Sequence, residues 1–426
     1  MLTSLLWRPK WPADTVRTYY VLNVVMTLCF TLFSTLSLVY MATTVGLSPL
    51  QMVLVGTVLE AVCFCFEVPT GIVSDLYSRR LSILIGLLLV GGGFLLQGLV
   101  PTFAGVLAAQ VVWGIGYTFT SGSIEAWLAD EIGVEAIGPI FTREVQLSLG
   151  ATFVAVIGAG ALGLVDIRVP MVAGGAGLVL LAGWLALTMP ERRFARTPAA
   201  ERETFAQVGR SFTAGVSMAR RSRVVRSFLL ISLIGGLSSE AFDRLWTVRV
   251  LELDLPGPFD AASPVILFAG ITLIGTVISL LSSIVVGRVG PDHVNALHPG
   301  GLLACLALVQ VAGIIGLALL GNLWVALVAM WVRGAAATVA APIESAWLNR
   351  NVESKVRATV LSMNGQANAI GQVVGGPPLG ALANRTSVST ALTASALVLS
   401  PIALVCARLR PGVAVPRAEG ELDRRT

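Results

Sequence analysis

Twelve predominantly apolar stretches, each long enough to cross a bilayer, follow one another along the 426 residues. They lie at 18–41, 50–74, 81–100, 103–127, 145–165, 169–189, 227–249, 264–287, 299–320, 323–347, 358–384 and 388–407. Lipid offers no partner to a backbone N–H or C=O, so each stretch must satisfy its own hydrogen bonds as a helix. The expected fold class is therefore an all-α membrane protein with twelve transmembrane helices. Composition excludes the soluble classes: only 12% of residues are charged, where a soluble domain carries about 25%. The net charge of +5 does not call for nucleic acid, because Lys and Arg are confined almost entirely to the short connections between apolar runs.

That confinement predicts sidedness. Of the 29 Lys and Arg, Arg168, Arg249 and Arg385 fall on one side, Arg244 and Arg333 within spans, and all others on the side of the N terminus. The excess marks that side, with both termini, as cytoplasmic, and the expected location is the cytoplasmic membrane. Met1–Arg17 contains Arg8, Lys10 and two prolines and no small-residue cleavage site, so a cleaved leader is not expected. The odd number of cysteines, all in or beside apolar runs, argues against a disulfide framework.

A pseudo-repeat divides the chain. Ile124-Glu125-Ala126-Trp127-Leu128 ends span four and Ile343-Glu344-Ser345-Ala346-Trp347-Leu348 ends span ten. The expected organisation is an N-terminal half (1–189), a linker (190–226), a C-terminal half (227–409) and a disordered cytoplasmic tail (410–426). Within the linker, Phe205, Val208, Phe212 and Val216 recur at helical spacing among arginines, the pattern of an amphipathic helix on anionic lipid.

Between spans two and three stands Glu67-Val68-Pro69-Thr70-Gly71, continuing through Asp75 to Arg79 and Arg80. Charges this dense mark a water-facing turn. The string resembles the signature of the major facilitator superfamily of secondary transporters, and in particular drug-efflux-like bacterial members. Leu76 and Ser78 depart from it, where the family often has a basic residue and glycine. The resemblance implies two pseudo-symmetric six-helix halves around a midplane substrate site. It implies that Gly71 allows close helix approach, that Asp75 faces the start of span eleven near Arg357, and that Arg79 pairs with Asp130. This gate cluster, with Arg80 and Glu67 beside it, is expected to break when the inner gate opens.

Ionisable residues inside spans are functional candidates because each is costly in lipid unless paired or hydrated. Glu67, Glu125 and Glu344 fall near inner helix ends, Glu60 and Arg333 near mid-depth. The resemblance puts spans one, four, seven and ten around the cavity, and so puts Glu240, Asp243, Arg244 and Arg333 on it. Glu240 and Arg244 are spaced to pair on one helix, and Arg333 then needs Glu240 or Asp243. These four are either a fixed ion network or a proton-coupled switch. Asn23, Thr27, Thr31 and Ser34 line one face of span one, and Gln110, Trp113 and Tyr117 one face of span four; both are read as cavity lining. The stripes Thr272, Thr276, Ser279, Ser283 and Asn364, Asn368, Gln372 suit helix–helix hydrogen bonds as well.

Two antiporter features are incomplete. Gln110 and Gly114 stand where many proton-coupled antiporters have Arg-x3-Gly, and Gly150, Gly158, Gly160 and Gly163 lack the accompanying proline in span five. There is no Walker string, no nucleophile–base set and no metal-ligand cluster, so no catalysis, metal or cofactor is expected. The expectation is a monomeric secondary transporter that exports small amphipathic organic compounds in exchange for protons. Handling of one specific metabolite by the same fold is the alternative, and a non-transporting receptor or scaffold the remote one.

Overall fold

A computed structural model describes residues 13–194, 222–253, 263–296, 299–352 and 354–408, without the side chains of 13, 263, 289–296, 299, 349, 351 and 354–358. The amphipathic linker helix, His293, His298, the side chain of Arg357 and the tail therefore lie outside what is described. The described residues are all-helical. The N-terminal half contains α1 (Ala13–Thr43), α2 (Pro49–Leu76), α3 (Arg79–Leu99), α4 (Phe103–Thr120), α5 (Ser123–Ile132), α6 (Ile137–Gly163) and α7 (Val169–Thr188). The C-terminal half contains α8 (Arg223–Leu251), α9 (Ser263–Ala296), α10 (Pro299–Leu319), α11 (Leu323–Asn351), α12 (Ser354–Arg385), α13 (Val388–Leu399) and α14 (Pro401–Ala407).

Local sequence explains the boundaries. Ser48 and Gln51 close a capping box on α2, and Ser78 and Thr102 cap α3 and α4 through their hydroxyls. Span four, expected to be continuous over 103–127, is broken into α4 and α5 at Ser121-Gly122, where Gly122 takes φ +70°. Glycine alone adopts that geometry cheaply. The last span breaks at Ser400-Pro401, since proline cannot donate into the preceding turn.

Among the described residues eleven crossings are long and apolar enough to span a membrane, with α4–α5 and α13–α14 each forming one. The twelfth is α12, which carries Asn364, Gln366, Asn368, Gln372, Pro377 and Pro378. Its polarity has partners. Asn364 accepts from Ser232 Oγ at 2.6 Å, Asn368 Nδ2 donates to Ser232 O at 3.2 Å, and Gln372 donates to Asn368 at 2.7 Å. The stripe is thus spent largely on binding α12 to α8.

The halves meet unevenly. At the face away from the Asp75–Arg80 turn, Leu36, Val39 and Val53 of the N-terminal half join the buried cluster of Ala241, Leu245 and Phe268. There Leu50 N donates to Asn384 Oδ1 at 3.0 Å. Toward the turn face the halves part around a cavity, where Phe64 and Tyr117 of the N-terminal half stand opposite Leu361 and Gln366 of the C-terminal half. The molecule is closed on one face and open on the other.

Candidate functional site

Where the halves part, a cavity of about 570 Å³ opens between α2, α4 and α12, walled among others by Glu60, Glu67, Tyr117, Ser362 and Gln366. Tyr117 also borders a second hollow of about 220 Å³ within the N-terminal half. That hollow is mainly apolar and aromatic, formed by Phe30, Trp113 and Tyr117 with Thr27 and Thr31 of α1. Phe30, Phe33, Phe94 and Trp113 make a ring cluster with centroids 3.6–5.6 Å apart. The Trp113 Nε1–H is buried without a hydrogen-bond acceptor among the described residues. A third hollow of about 230 Å³ in the C-terminal half is bordered by Phe242, Trp246, Trp331 and Arg333.

Charge gathers beyond the deep end of the main cavity. Arg244 Nε donates to Glu240 Oε1 at 2.9 Å, one turn apart on α8. Glu240 is 1% exposed. The pair fits against Gly56 of α2, where any Cβ would collide with the Glu240 carboxylate and the Arg244 guanidinium. On the other side a methyl group at Gly376 of α12 would lie 3.0 Å from Glu240 Cγ and 2.9 Å from Thr57 Oγ1. An ion pair of one half is therefore seated in a notch of the other, at the closed contact. Glu60, one turn from Gly56, feels the charges of Glu240, Asp243 and Arg244. Asp243, one residue before Arg244 on α8, is exposed.

Arg333 departs from expectation. Among the described residues it makes no ion pair. Its guanidinium carbon lies 3.5 Å from the centroid of the Phe242 ring, and its Nε has no hydrogen-bond partner. The aromatic face takes the place of a carboxylate, while Asp243 acts on it from farther away. Gln110 also departs: it is 2% exposed and its Nε2 donates to Gln97 Oε1 at 2.8 Å. Gln97 in turn donates to Ser37 at 2.7 Å. Gln110 is thus a link between α3 and α4, not a wall of the main cavity. Asn23 returns its amide to Tyr19 O of its own helix at 2.9 Å.

At the turn, Arg79 contacts Asp75 and lies 3.4 Å from Asp130 Oδ2, with Ser74 Oγ at 3.3 Å. All four belong to the N-terminal half, and the cluster is intact although this face is open. The Arg79–Asp130 contact is thus present in the conformation described. Nor does any helix crowd Gly71, since a Cβ there would meet nothing within 4 Å. Arg80 donates to Ala186 O. Glu125 is exposed at the start of α5, and Glu344 is partly buried inside the C-terminal half.

Sequence reasoning missed Glu191, which accepts from Ser78 Oγ at 2.6 Å and Arg80 N at 3.0 Å and so ties the turn to the end of α7. It also missed Gly56. The signals were present: an acid just after the sixth span on the basic side, and a glycine one turn from Glu60.

The arrangement has relatives. The family model of the Major Facilitator Superfamily matches residues 19–375, and the chain belongs to that family. A curated relative, an uncharacterized MFS-type transporter, YxaM, of Bacillus subtilis (strain 168), is 26% identical over 138 residues. That match spans 32% of this chain and 35% of the relative, about a third of its length. Among solved structures, the nucleoside transporter NupG superposes with a TM-score of 0.73 at 15% identity, covering 92% of this chain and 97% of NupG. A POT family transporter in complex with 5-aminolevulinic acid gives 0.68 at 14% identity, covering 92% and 94%. A bacterial homolog of the human lysosomal transporter Spinster, inward-facing and occupied, gives 0.67 at 15% identity, covering 92% and 96%. At such identities the likeness carries the fold alone: twelve crossings in two six-helix halves.

Proposed function

We propose that this protein is a secondary active transporter that exports small amphipathic organic compounds in exchange for protons. The observation that carries the reading is the cavity of about 570 Å³ between the halves, closed beyond its deep end by a seated ion pair. Alternating access then consists of lifting Glu240 and Arg244 out of the Gly56 notch while the walls around Glu60 and Tyr117 close. With the basic connections assigned to the cytoplasm, the open face is the inner one.

Charge counting supports proton coupling. Glu60, Glu240 and Asp243 supply three carboxylates, and Arg244 and Arg333 two cations. One acid is left without a counterpart, and a proton is the smallest cation that can complete the set. The aromatic hollow beside Trp113 supports an amphipathic ligand: an apolar ring system packs there, and an acceptor on it satisfies the buried indole N–H. The Asp75–Arg79–Asp130 cluster has the role of holding the N-terminal half rigid at the moving face. Efflux as the direction, the cytoplasmic membrane as the location and a monomeric working unit come with the drug-exporter resemblance. A second reading, transport of one specific polar metabolite, draws on the mixed walls of the main cavity, where Glu60, Ser362 and Gln366 stand beside apolar groups.

Proteoliposomes with an imposed pH gradient, screened across amphipathic cations, neutral aromatics and polar metabolites, test the proposal. Gradient-dependent movement of the first two classes is the expected result. Movement of a single polar metabolite favours the second reading, and no flux of any compound refutes transport.

A further inference from the structure

The hollow of about 230 Å³ in the C-terminal half lies between α8, α9 and α11 and shares no wall with the main cavity or with the Trp113 hollow. Trp246, Ile271, Met330 and Trp331 make it largely apolar and aromatic. Among its described walls Arg333 alone is charged. This arginine forms no ion pair and no hydrogen bond with any described residue, and its Nε is buried.

Arg333 is held in place all the same. Helix α10 comes so close to its stem that a Cβ on Gly313 would lie 2.6 Å from Arg333 Cβ. The guanidinium carbon stands 3.5 Å from the centroid of the Phe242 ring. A guanidinium laid on an aromatic face keeps its N–H groups in its own plane, free to form the fork that matches a carboxylate. A fixed cation whose donors lack an acceptor is costly inside a bundle, so the fork suits an anion that the chain itself does not supply. Asp243, next to Phe242 on α8, is exposed and is not a wall of the hollow.

Depth and wall chemistry select that anion. Arg333 stands ten residues past Leu323, about 15 Å along α11, half the thickness of a hydrocarbon core of about 30 Å. A lipid phosphate stays at the membrane surface and does not reach it. An inorganic anion would give up its hydration against tryptophan, methionine and isoleucine. An organic acid loses less, because its body buries apolar area on the same walls. The Ser279 hydroxyl, without a partner among the described residues, adds a neutral donor, while that of Thr272 is spent on Phe268 O at 2.8 Å. The hollow is smaller than pockets for drug-sized ligands, which begin near about 300 Å³, so it suits a compact ring and not an acyl chain. We propose that it is a binding site for a compact aromatic monocarboxylate, with the carboxylate on the Arg333 fork and the ring against Trp246 and Trp331.

Isothermal titration calorimetry of the purified full-length protein with naphthoate and its neutral analogue naphthamide tests this. Binding in detergent needs neither a gradient nor flux, so its failure is distinct from failure of the transport reading. Wild type should bind naphthoate at least about tenfold more tightly than naphthamide, the worth of a charge-assisted pair. Arg333→Gln should erase that preference. Gly275→Leu keeps Arg333 and fills the hollow from α9, where a Cβ would lie in ordinary contact, 3.7 Å from the Trp331 ring. It should weaken naphthoate binding at least about tenfold, and it serves if Arg333→Gln does not fold. Four results would each overturn the proposal: no binding of naphthoate, equal affinity of wild type for the two compounds, a preference that survives Arg333→Gln, or an affinity that Gly275→Leu leaves unmoved.

Discussion

The two halves share one architecture and use their charges in opposite ways. In the N-terminal half the charges gather at the turn face and are tied down: Asp75, Arg79 and Asp130 contact one another, and Glu191 holds the turn to the end of α7. Glu131 accepts from Arg192 N at 2.6 Å and Arg193 N at 3.0 Å, and the Trp127 indole donates to Pro190 O at 2.7 Å. In the C-terminal half the charges lie inside the bundle. One pair is seated against the partner half, Arg333 rests on an aromatic ring, and Glu344 has no partner among the described residues. The repeated Ile-Glu…Trp-Leu segment makes the contrast concrete. Glu125 is exposed while Glu344 faces a hollow, and Trp347 packs at 5.0 Å on Phe228 where Trp127 is hydrogen-bonded to the linker's start. At the turn the N-terminal half ties its charges to one another, while the C-terminal half keeps Glu240, Arg244 and Arg333 inside the bundle.

Breaking the seated pair should have the largest effect on stability. Arg244→Ala leaves Glu240 buried beside Gly56 with no cation in contact, and should cost about 3 kcal/mol in thermal or denaturant unfolding. Glu240→Gln combined with Arg244→Met should recover most of that loss, because the uncompensated charge is gone. A double variant no better than Arg244→Ala would mean that packing, not charge, holds this contact.

Gly56→Leu comes next. It fills the notch, so the closed face should separate. Cysteines at Leu50 and Asn384, whose backbone and side chain meet at 3.0 Å, should cross-link readily in the parent and at least about fivefold less in the Gly56→Leu background. Equal cross-linking would show that the halves are not in contact through this notch.

The N-terminal cluster should respond far less. Arg79 and Asp130 are 15% and 31% exposed at their side chains, and Asp130→Asn should cost at most about 1 kcal/mol. A loss as large as that of Arg244→Ala would erase the distinction between the halves.

The smallest effect belongs to the loop between α6 and α7. Hydrogen bonding to the Arg168 guanidinium, with the Arg168 backbone N–H, pulls the Asp166 carboxyl down to about 2. A depressed acid stabilises the fold above its unfolded value of 3.8 and loses that contribution as pH falls through about 2. Because both side chains are well exposed, Asp166→Asn should lower stability at neutral pH by under about 1 kcal/mol and flatten the acid limb only below about pH 4. A flattened limb nearer neutrality would assign the effect to another group.

The fold was largely legible from sequence because lipid enforces it: apolar length gives the crossings, and Lys and Arg give the expected side. The repeat at Glu125 and Glu344 pointed to two halves. The site was legible only in part, since a helical stripe gives a face but not the neighbour it meets. Gln110 shares a stripe with Tyr117, yet Gln97 on α3 claims it and withdraws it from the cavity. Arg333 was expected to find a carboxylate, and no local spacing announces that Phe242 on another helix will take its place. Gly56 carries no chemistry, so only the approach of α8 reveals what its missing side chain makes room for.

The central claim is that the charged cluster at the contact of the halves couples a proton to alternating access. Its most direct test is transport by Glu240→Gln and Asp243→Asn proteins in proteoliposomes, measured both as accumulation driven by a pH gradient and as substrate exchange without one. The account predicts that at least one variant loses accumulation while keeping exchange at a rate within about tenfold of the parent. If both variants still accumulate substrate uphill with the parent's pH dependence, the coupling site lies elsewhere and the claim is wrong.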